Sequence, residues 1–145
     1  KRQAVVSDGT TAPVGENMEL YYYPTTSPGA RLPHAWVYDR NGGKHSTLDL
    51  CGKGRFTLLT GIGGEGWVKA AAEIGKALNW PIRCVTIGPR ADYEDHVGDW
   101  HKVRDITDSG CVLVRPDHHV AWRSGAASSD PATDLTRVLR AILGQ

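Results

Sequence analysis

Phe56-Thr57-Leu58-Leu59-Thr60-Gly61-Ile62-Gly63-Gly64-Glu65-Gly66-Trp67 is the stretch whose reading sets the fold. Phe56 to Thr60 is apolar and β-branched and is followed by glycine, as expected of a short buried strand. From Glu65 to Leu78 the period changes. Trp67, Ala71, Ile74 and Leu78 share one helical face, with Lys69, Glu73 and Lys76 opposite. Trp80-Pro81 closes that helix, because proline disfavours helical backbone in the residue before it. Ile82 to Ile87 is a second apolar run. Strand, glycine loop, helix and strand make a βαβ unit, with the two strands parallel.

C-terminal to this unit the chain changes style. A charged loop runs to Asp99, and Trp100, Val103 and Ile106 are spaced for one short helical face. Cys111 to Arg115 and His119 to Arg123 form a predicted hairpin with Pro116 and Asp117 in its turn. Asp130-Pro131 reads as an N-cap followed by proline at the first helical position, and Leu135, Val138, Leu139 and Ile142 form the stripe of a final helix. On the N-terminal side, Ala35 to Tyr38 and Ser46 to Leu50 are predicted strands around the hairpin signal Asn41-Gly42-Gly43. A βαβ unit followed by ββα is the thioredoxin arrangement. The expected fold is therefore α/β: a thioredoxin-like mixed sheet flanked by helices, without a Cys-x-x-Cys motif.

Residues 7–33 differ in composition. Pro13, Pro24, Pro28 and Pro33, with Gly9, Gly15 and Gly29, favour extended, turn-rich backbone, so residues 1–33 are expected to be an arm and residues 34–145 the domain. Tyr21-Tyr22-Tyr23 cannot all face one core, since neighbours in extended chain point to opposite sides. Some of these rings are expected to pack elsewhere. Lys1-Arg2 precedes no long apolar segment, so the start is not read as a secretory signal; it is expected to continue from preceding polypeptide.

A length of 145 residues suits one domain with its own core. The net charge of +1 offers no electrostatic handle for nucleic acid or an anionic membrane, and no apolar run reaches the ~20 residues of a membrane span. Cys51, Cys84 and Cys111 are odd in number and far apart, which suits neither a disulfide framework nor a zinc site. They are read as structural, in a reducing, cytoplasmic compartment.

Redox-active thioredoxin folds carry their thiol pair in the loop before the first helix, where the helix N-terminus lowers the thiol pKa. Gly61 to Gly66 holds no thiol. The same loop spells G-x-G-x-x-G, a dinucleotide fingerprint when an acid ends the next strand. Here Ile87 leads into Gly88-Pro89-Arg90, and Glu65 would set a carboxylate beside a phosphate. Arg90 could partner a 2′-phosphate, but a tight glycine turn is the expected reading. Asp92, Glu94, Asp95, His96, Asp99 and His101 lack metal-ligand spacing and are expected to be a solvated loop with helix-capping acids. His118-His119 is expected to decorate a turn. Ser109 and Ser124 lack a nucleophile-elbow context. No catalytic, cofactor-binding or metal-binding residue is therefore assigned.

Longer strings carry a resemblance. Ala4 to Thr10, Glu19 to Tyr22, Pro24-Thr25-Thr26 and Pro28 to Trp36 are similar to the segment entering the C-terminal domain of flavoprotein phenol hydroxylases. Ser46 to Leu50, Gly54 to Gly61, Gly110 to Asp117 and Ala121-Trp122-Arg123 continue it, nearest to the 2,4-dichlorophenol 6-monooxygenase branch. The resemblance implies a parent enzyme that uses FAD, NADPH or NADH, and O2 to hydroxylate a phenolic ring. It also implies that the flavin and substrate motifs lie upstream and that this terminal domain has a structural and subunit-contact role. The expected partners are the upstream flavin-binding domain of the same polypeptide and further copies of the parent, with no nucleic acid and no membrane. The competing expectation is a stand-alone thiol oxidoreductase using one cysteine, with Cys51 as the candidate.

Overall fold

The computed structural model describes Val6 and residues 26–144. Tyr21-Tyr22-Tyr23 lies outside the described residues. The central four-stranded sheet runs in the order β4-β3-β6-β7, with β3 at Phe56–Thr60, β4 at Ile82–Thr86, β6 at Cys111–Val114 and β7 at Val120–Ser124. β3 and β4 are parallel, in register from Phe56↔Ile82 to Thr60↔Thr86, and α1 (Glu65–Ala77) makes their crossover. β6 pairs antiparallel with both β3 and β7, and α3 (Pro131–Leu143) follows. This is the mixed, thioredoxin-like sheet that the periodicities predict.

Both faces of the sheet are covered, because side chains alternate sides along a strand. Leu58 and Leu113 face α1 and α3, where they meet Trp67, Ile74, Leu135 and Leu139. Trp67 and Trp122 pack edge to face there, with ring centroids 5.7 Å apart. Leu59, Val112 and Val114 face the other way, onto Leu32, Val37, Leu50 and Trp100. That second face is closed by α2 (Asp99–Val103), a 3-10 helix at Thr47–Leu50 and a small sheet. α3 begins as its sequence dictates: the Asp130 side chain accepts from Thr133 N, and proline follows at the helix start.

The small sheet corrects two expectations. It has the order β2-β1-β5, with β1 at Trp36–Asp39, β2 at Lys44–Ser46 and β5 at Tyr93–Glu94. The hairpin at Asn41-Gly42-Gly43 forms, with Gly42 at φ +84°. Its second strand, however, stops at Ser46 rather than reaching Leu50. The Ser46 hydroxyl accepts from Leu48 N while Asp49 accepts from Ser46 N, a capping box that starts a 3-10 turn. The second correction is β5, which lies within the predicted charged loop and pairs with Tyr38 and Asp39.

Residues 26–33, read from composition as arm, lie along the outer edge of β7. Gly29 N donates to Val120 O, Val120 N to Ala30 O and Leu32 N to His118 O, at 2.7–2.8 Å. Thr26 is fully buried; its hydroxyl donates to Arg104 O and accepts from Arg123 Nη1 at 3.0 Å.

Candidate functional site

The loop from Gly61 to Gly64 joins β3 to α1 and faces the 107–110 turn. A Cβ on Gly61 would stand 2.5 Å from Asp108 O and 2.7 Å from Asp108 Cα. A Cβ on Gly64 would stand 1.8 Å from Thr60 Oγ1. The loop's polar groups are turned onto the protein as well. Gly63 N donates to Asp108 O at 3.1 Å, Gly64 N to Gly61 O at 3.0 Å, and Trp67 Nε1 to Ser109 O at 2.9 Å. The Thr60 hydroxyl donates to Gly110 O beneath them. None of these glycines has positive φ. They are required by close approach, of the Asp108 backbone at Gly61 and of the Thr60 side chain at Gly64, not by turn geometry.

None of the three thiols is part of this loop, although Cys111 is the strand partner of Thr60 at its foot. Cys51 follows the 3-10 helix, Cys84 lies in β4 and Cys111 in β6. Burial pushes the Cys51 thiol up to about 12 and the Cys84 thiol up to about 11, and it raises that of Cys111 too. Removal from water disfavours the charged thiolate, the reverse of what a nucleophilic cysteine needs.

Beside the loop is a cleft of about 430 Å³, lined by Ile87, Gly88, Pro89 and Trp100, with charged groups from the 94–108 region. Most of those charges already have partners. Glu94 accepts from Arg90 N at 2.9 Å and pairs with His96 at 2.9 Å, and these two contacts hold its carboxyl below the ordinary range. Asp95 accepts from Trp100 N and His101 N, which caps α2. Asp92 accepts from Thr86 N, and Asp99 from Trp36 N at 3.4 Å. Arg104 meets Asp108 at 2.7 Å. Among the described residues no three His, Cys, Asp or Glu side chains converge on a point that could hold a metal ion.

His118 does more than decorate its turn. Its Nε2–H donates to Leu48 O at 3.0 Å, tying the β6–β7 turn to the 3-10 helix, while His119 stays beside Asp117. Gly52, at φ +91°, leaves room for that ring, which would lie 3.0 Å from a Cβ there. The buried Thr26–Arg123 contact also escaped sequence reading. Thr26 sits in a proline-rich stretch and Arg123 reads as a strand-end surface charge, so no local signal joins them.

Residues 25–145 match the family described as aromatic-ring hydroxylase, C-terminal. The chain belongs to this family. As an aromatic-ring hydroxylase C-terminal domain it is 47% identical over 143 residues to the 2,4-dichlorophenol 6-monooxygenase of Cupriavidus pinatubonensis, covering 98% of this chain and 24% of that protein. It is 40% identical to the phenol 2-monooxygenase of a Pseudomonas species, covering 94% of this chain and 22% of that protein. The crystal structure of the flavin-dependent monooxygenase PieE, in complex with FAD and substrate, superposes with a TM-score of 0.88 at 46% identity, over 98% of this chain and 24% of that one. The domain thus spans about a quarter of the length of the relatives it matches, and in those proteins it is part of a larger polypeptide.

Proposed function

We propose that this domain is the C-terminal part of an FAD-dependent hydroxylase that uses NAD(P)H and O2 to hydroxylate a phenolic ring, and that its own role is structural. In this reading it steadies the upstream flavin-bearing part and contributes to subunit contacts in a homo-oligomeric, cytoplasmic enzyme. FAD supplies the oxygen chemistry when bound upstream.

The observation that carries the structural role is the glycine loop. In a thioredoxin fold this corner is where chemistry is placed, and here it is packed shut on Asp108 and Ser109. It is a poor fit for the pyrophosphate of FAD or a nicotinamide dinucleotide. The open backbone such a group would approach faces protein atoms, and the Gly63 amide already donates to a carbonyl. The thiol-oxidoreductase reading centred on Cys51 meets a buried thiol with a raised pKa.

Two preparations test the proposal. The full-length parent should be yellow and should oxidise NAD(P)H in a phenol-dependent way. The 145-residue chain alone should be colourless, give flat calorimetric titrations with FAD and NADPH, and reduce no disulfide. Saturable dinucleotide binding or disulfide reduction by the isolated chain would overturn the structural role. A parent without flavin or phenol-dependent turnover would overturn the enzyme assignment.

A further inference from the structure

The tip of the β1–β2 hairpin, Arg40-Asn41-Gly42-Gly43, sets an exposed asparagine before an exposed glycine. Asp39 holds this tip closed. One of its carboxylate oxygens accepts from Asn41 N at 2.9 Å and from Gly43 N at 2.8 Å, and the other accepts from His45 Nε2 at 2.7 Å. Its main chain closes the turn as well: Asp39 N donates to Gly43 O at 2.8 Å, and Gly42 N donates to Asp39 O at 3.0 Å. Gly42 is glycine for its φ of +84°, since a Cβ there would meet nothing within 4 Å. Its nitrogen therefore has open space beside it and no side chain of its own to shield it. The Asn41 carboxamide next to it has no hydrogen-bond partner among the described residues.

From this geometry we infer that Asn41 is a site of covalent self-modification, and that the Asp39 hairpin is its brake. The Gly42 amide loses its proton to hydroxide, and its nitrogen attacks Asn41 Cγ. A bond forms between the two, closing a five-membered imide; the bond from Cγ to the side-chain nitrogen breaks, and ammonia leaves. Water then opens the ring at either carbonyl and leaves an aspartyl or an isoaspartyl residue at position 41. Nothing is oxidised or reduced, and water is the sole co-reactant. The attacking nitrogen is the one whose N–H is committed to Asp39 O, so the step waits for the turn to open. The product does not refit the turn it came from. Either form sets a second carboxylate beside Asp39, and the isoaspartyl form adds a methylene to a main chain closed at both ends by hydrogen bonds. Modification therefore loosens the pairing of Val37 with His45 and of Tyr38 with Lys44, and with it the cover over fully buried Val37.

The test incubates the full-length parent in mildly alkaline buffer, native and in urea, and maps the hairpin peptide by mass spectrometry. Conversion is read as the mass gain of an amide turned acid, and chromatography separates the aspartyl from the isoaspartyl product. The native protein should convert measurably over weeks, at least roughly tenfold more slowly than the protein in urea. Asp39→Asn keeps the shape of the side chain but removes its charge, and should close most of that gap without changing the rate in urea. His45→Ala removes one donor to Asp39 and is the milder variant; it should speed native conversion by a smaller factor. Asn41→Gln, which would have to close a larger ring, should stop conversion in both conditions. Native protein that stays unconverted over weeks would sink the site, and so would a product without isoaspartate, which signals direct hydrolysis. Equal rates in buffer and urea, or native rates unmoved by both hairpin variants, would remove the brake. Hydrogen exchange supplies the last reading: the Val37 and Tyr38 amides should exchange faster in aged protein than in fresh, and equal exchange would refute the loosening. No readout involves flavin or turnover, so the outcome is independent of the enzyme assignment.

Discussion

Replacing Gly64 with alanine should destabilise the domain for a reason that lies wholly in one contact. Gly64 has φ −103° and ψ 22°, a conformation open to any residue, so backbone strain plays no part. The new Cβ would fall 1.8 Å from Thr60 Oγ1, 2.9 Å from its Cβ and 3.0 Å from its Cγ2. Thr60 is 1% exposed and its hydroxyl donates to Gly110 O, so it cannot turn away without stranding a buried carbonyl. Overpacking of this kind costs about 1–3 kcal/mol, and an orphaned buried acceptor about as much again. One movement causes both, so the expected loss is about 2–4 kcal/mol, a fall in Tm of roughly 6–16 °C for a domain of this size.

Thermal unfolding followed by tryptophan fluorescence is a suitable assay, since Trp67 hydrogen-bonds beside the loop. Thr60→Ala removes Oγ1 and Cγ2 and should alone cost about 1–2 kcal/mol. The Gly64→Ala, Thr60→Ala double variant should then lose less than the two single losses added together, by more than about 1 kcal/mol. If Gly64→Ala melts with the parent protein, or the two losses simply add, the packing argument fails. If it melts normally but a dinucleotide affinity disappears, the glycine serves a phosphate instead.

Thr26→Val should cost about 1–3 kcal/mol by removing the hydroxyl that donates to Arg104 O and accepts from Arg123, measured by urea unfolding; an unchanged midpoint would make the buried latch irrelevant to stability. With Cys84 near 11 and Cys51 near 12, fewer than about one thiol in a thousand is ionised at pH 8. Iodoacetamide should therefore modify them on the time scale of unfolding, and rapid labelling of a single thiol in the native chain would revive a thiol-based role. His45, and the amides of Gly43 and Asn41, hold the Asp39 carboxyl below its ordinary value. Its support of the hairpin is whole above about pH 4 and is lost as pH falls through the lowered folded value. NMR amide shifts of Asn41 and Gly43 should move in that acid range, and Asp39→Asn should abolish the step; a step that survives the substitution would have another source.

The parts of the fold legible in the sequence are those where one period runs long enough to be unambiguous. Trp67, Ala71, Ile74 and Leu78 repeat over the length of a helix, and Phe56–Thr60 and Cys111–Val114 are apolar because both faces of a central strand are buried. The misread parts are short and depend on particular side chains. Ser46 to Leu50 has strand-like composition, but two hydrogen bonds between Ser46 and Asp49 and their neighbours turn it into a 3-10 helix. Tyr93-Glu94 has no strand signal of its own and becomes one because β1 offers it an edge. The edge of β7 found its cover in a proline-rich stretch that is not itself a strand, for the same reason: backbone groups need partners wherever the chain can supply them.

The glycine loop shows where such reading stops. A pattern of glycines reports that Cβ atoms are missing, and says nothing of what occupies the space they leave. A phosphate and a neighbouring turn make the same demand on sequence, because each needs backbone within about 3 Å of something else. The turn that fills the space here, Asp108 to Gly110, lies more than forty residues downstream, and the contact exists only once β6 has paired with β3. What separates a binding loop from a packing loop is therefore the direction of the absent side chains. At Gly61 and Gly64 that direction is inward, onto Asp108 and Thr60, while Ile62 between them points out toward the cleft rim. The loop that would carry chemistry in a redox-active relative of the fold here braces the sheet with its glycines and offers an apolar surface with its one large side chain.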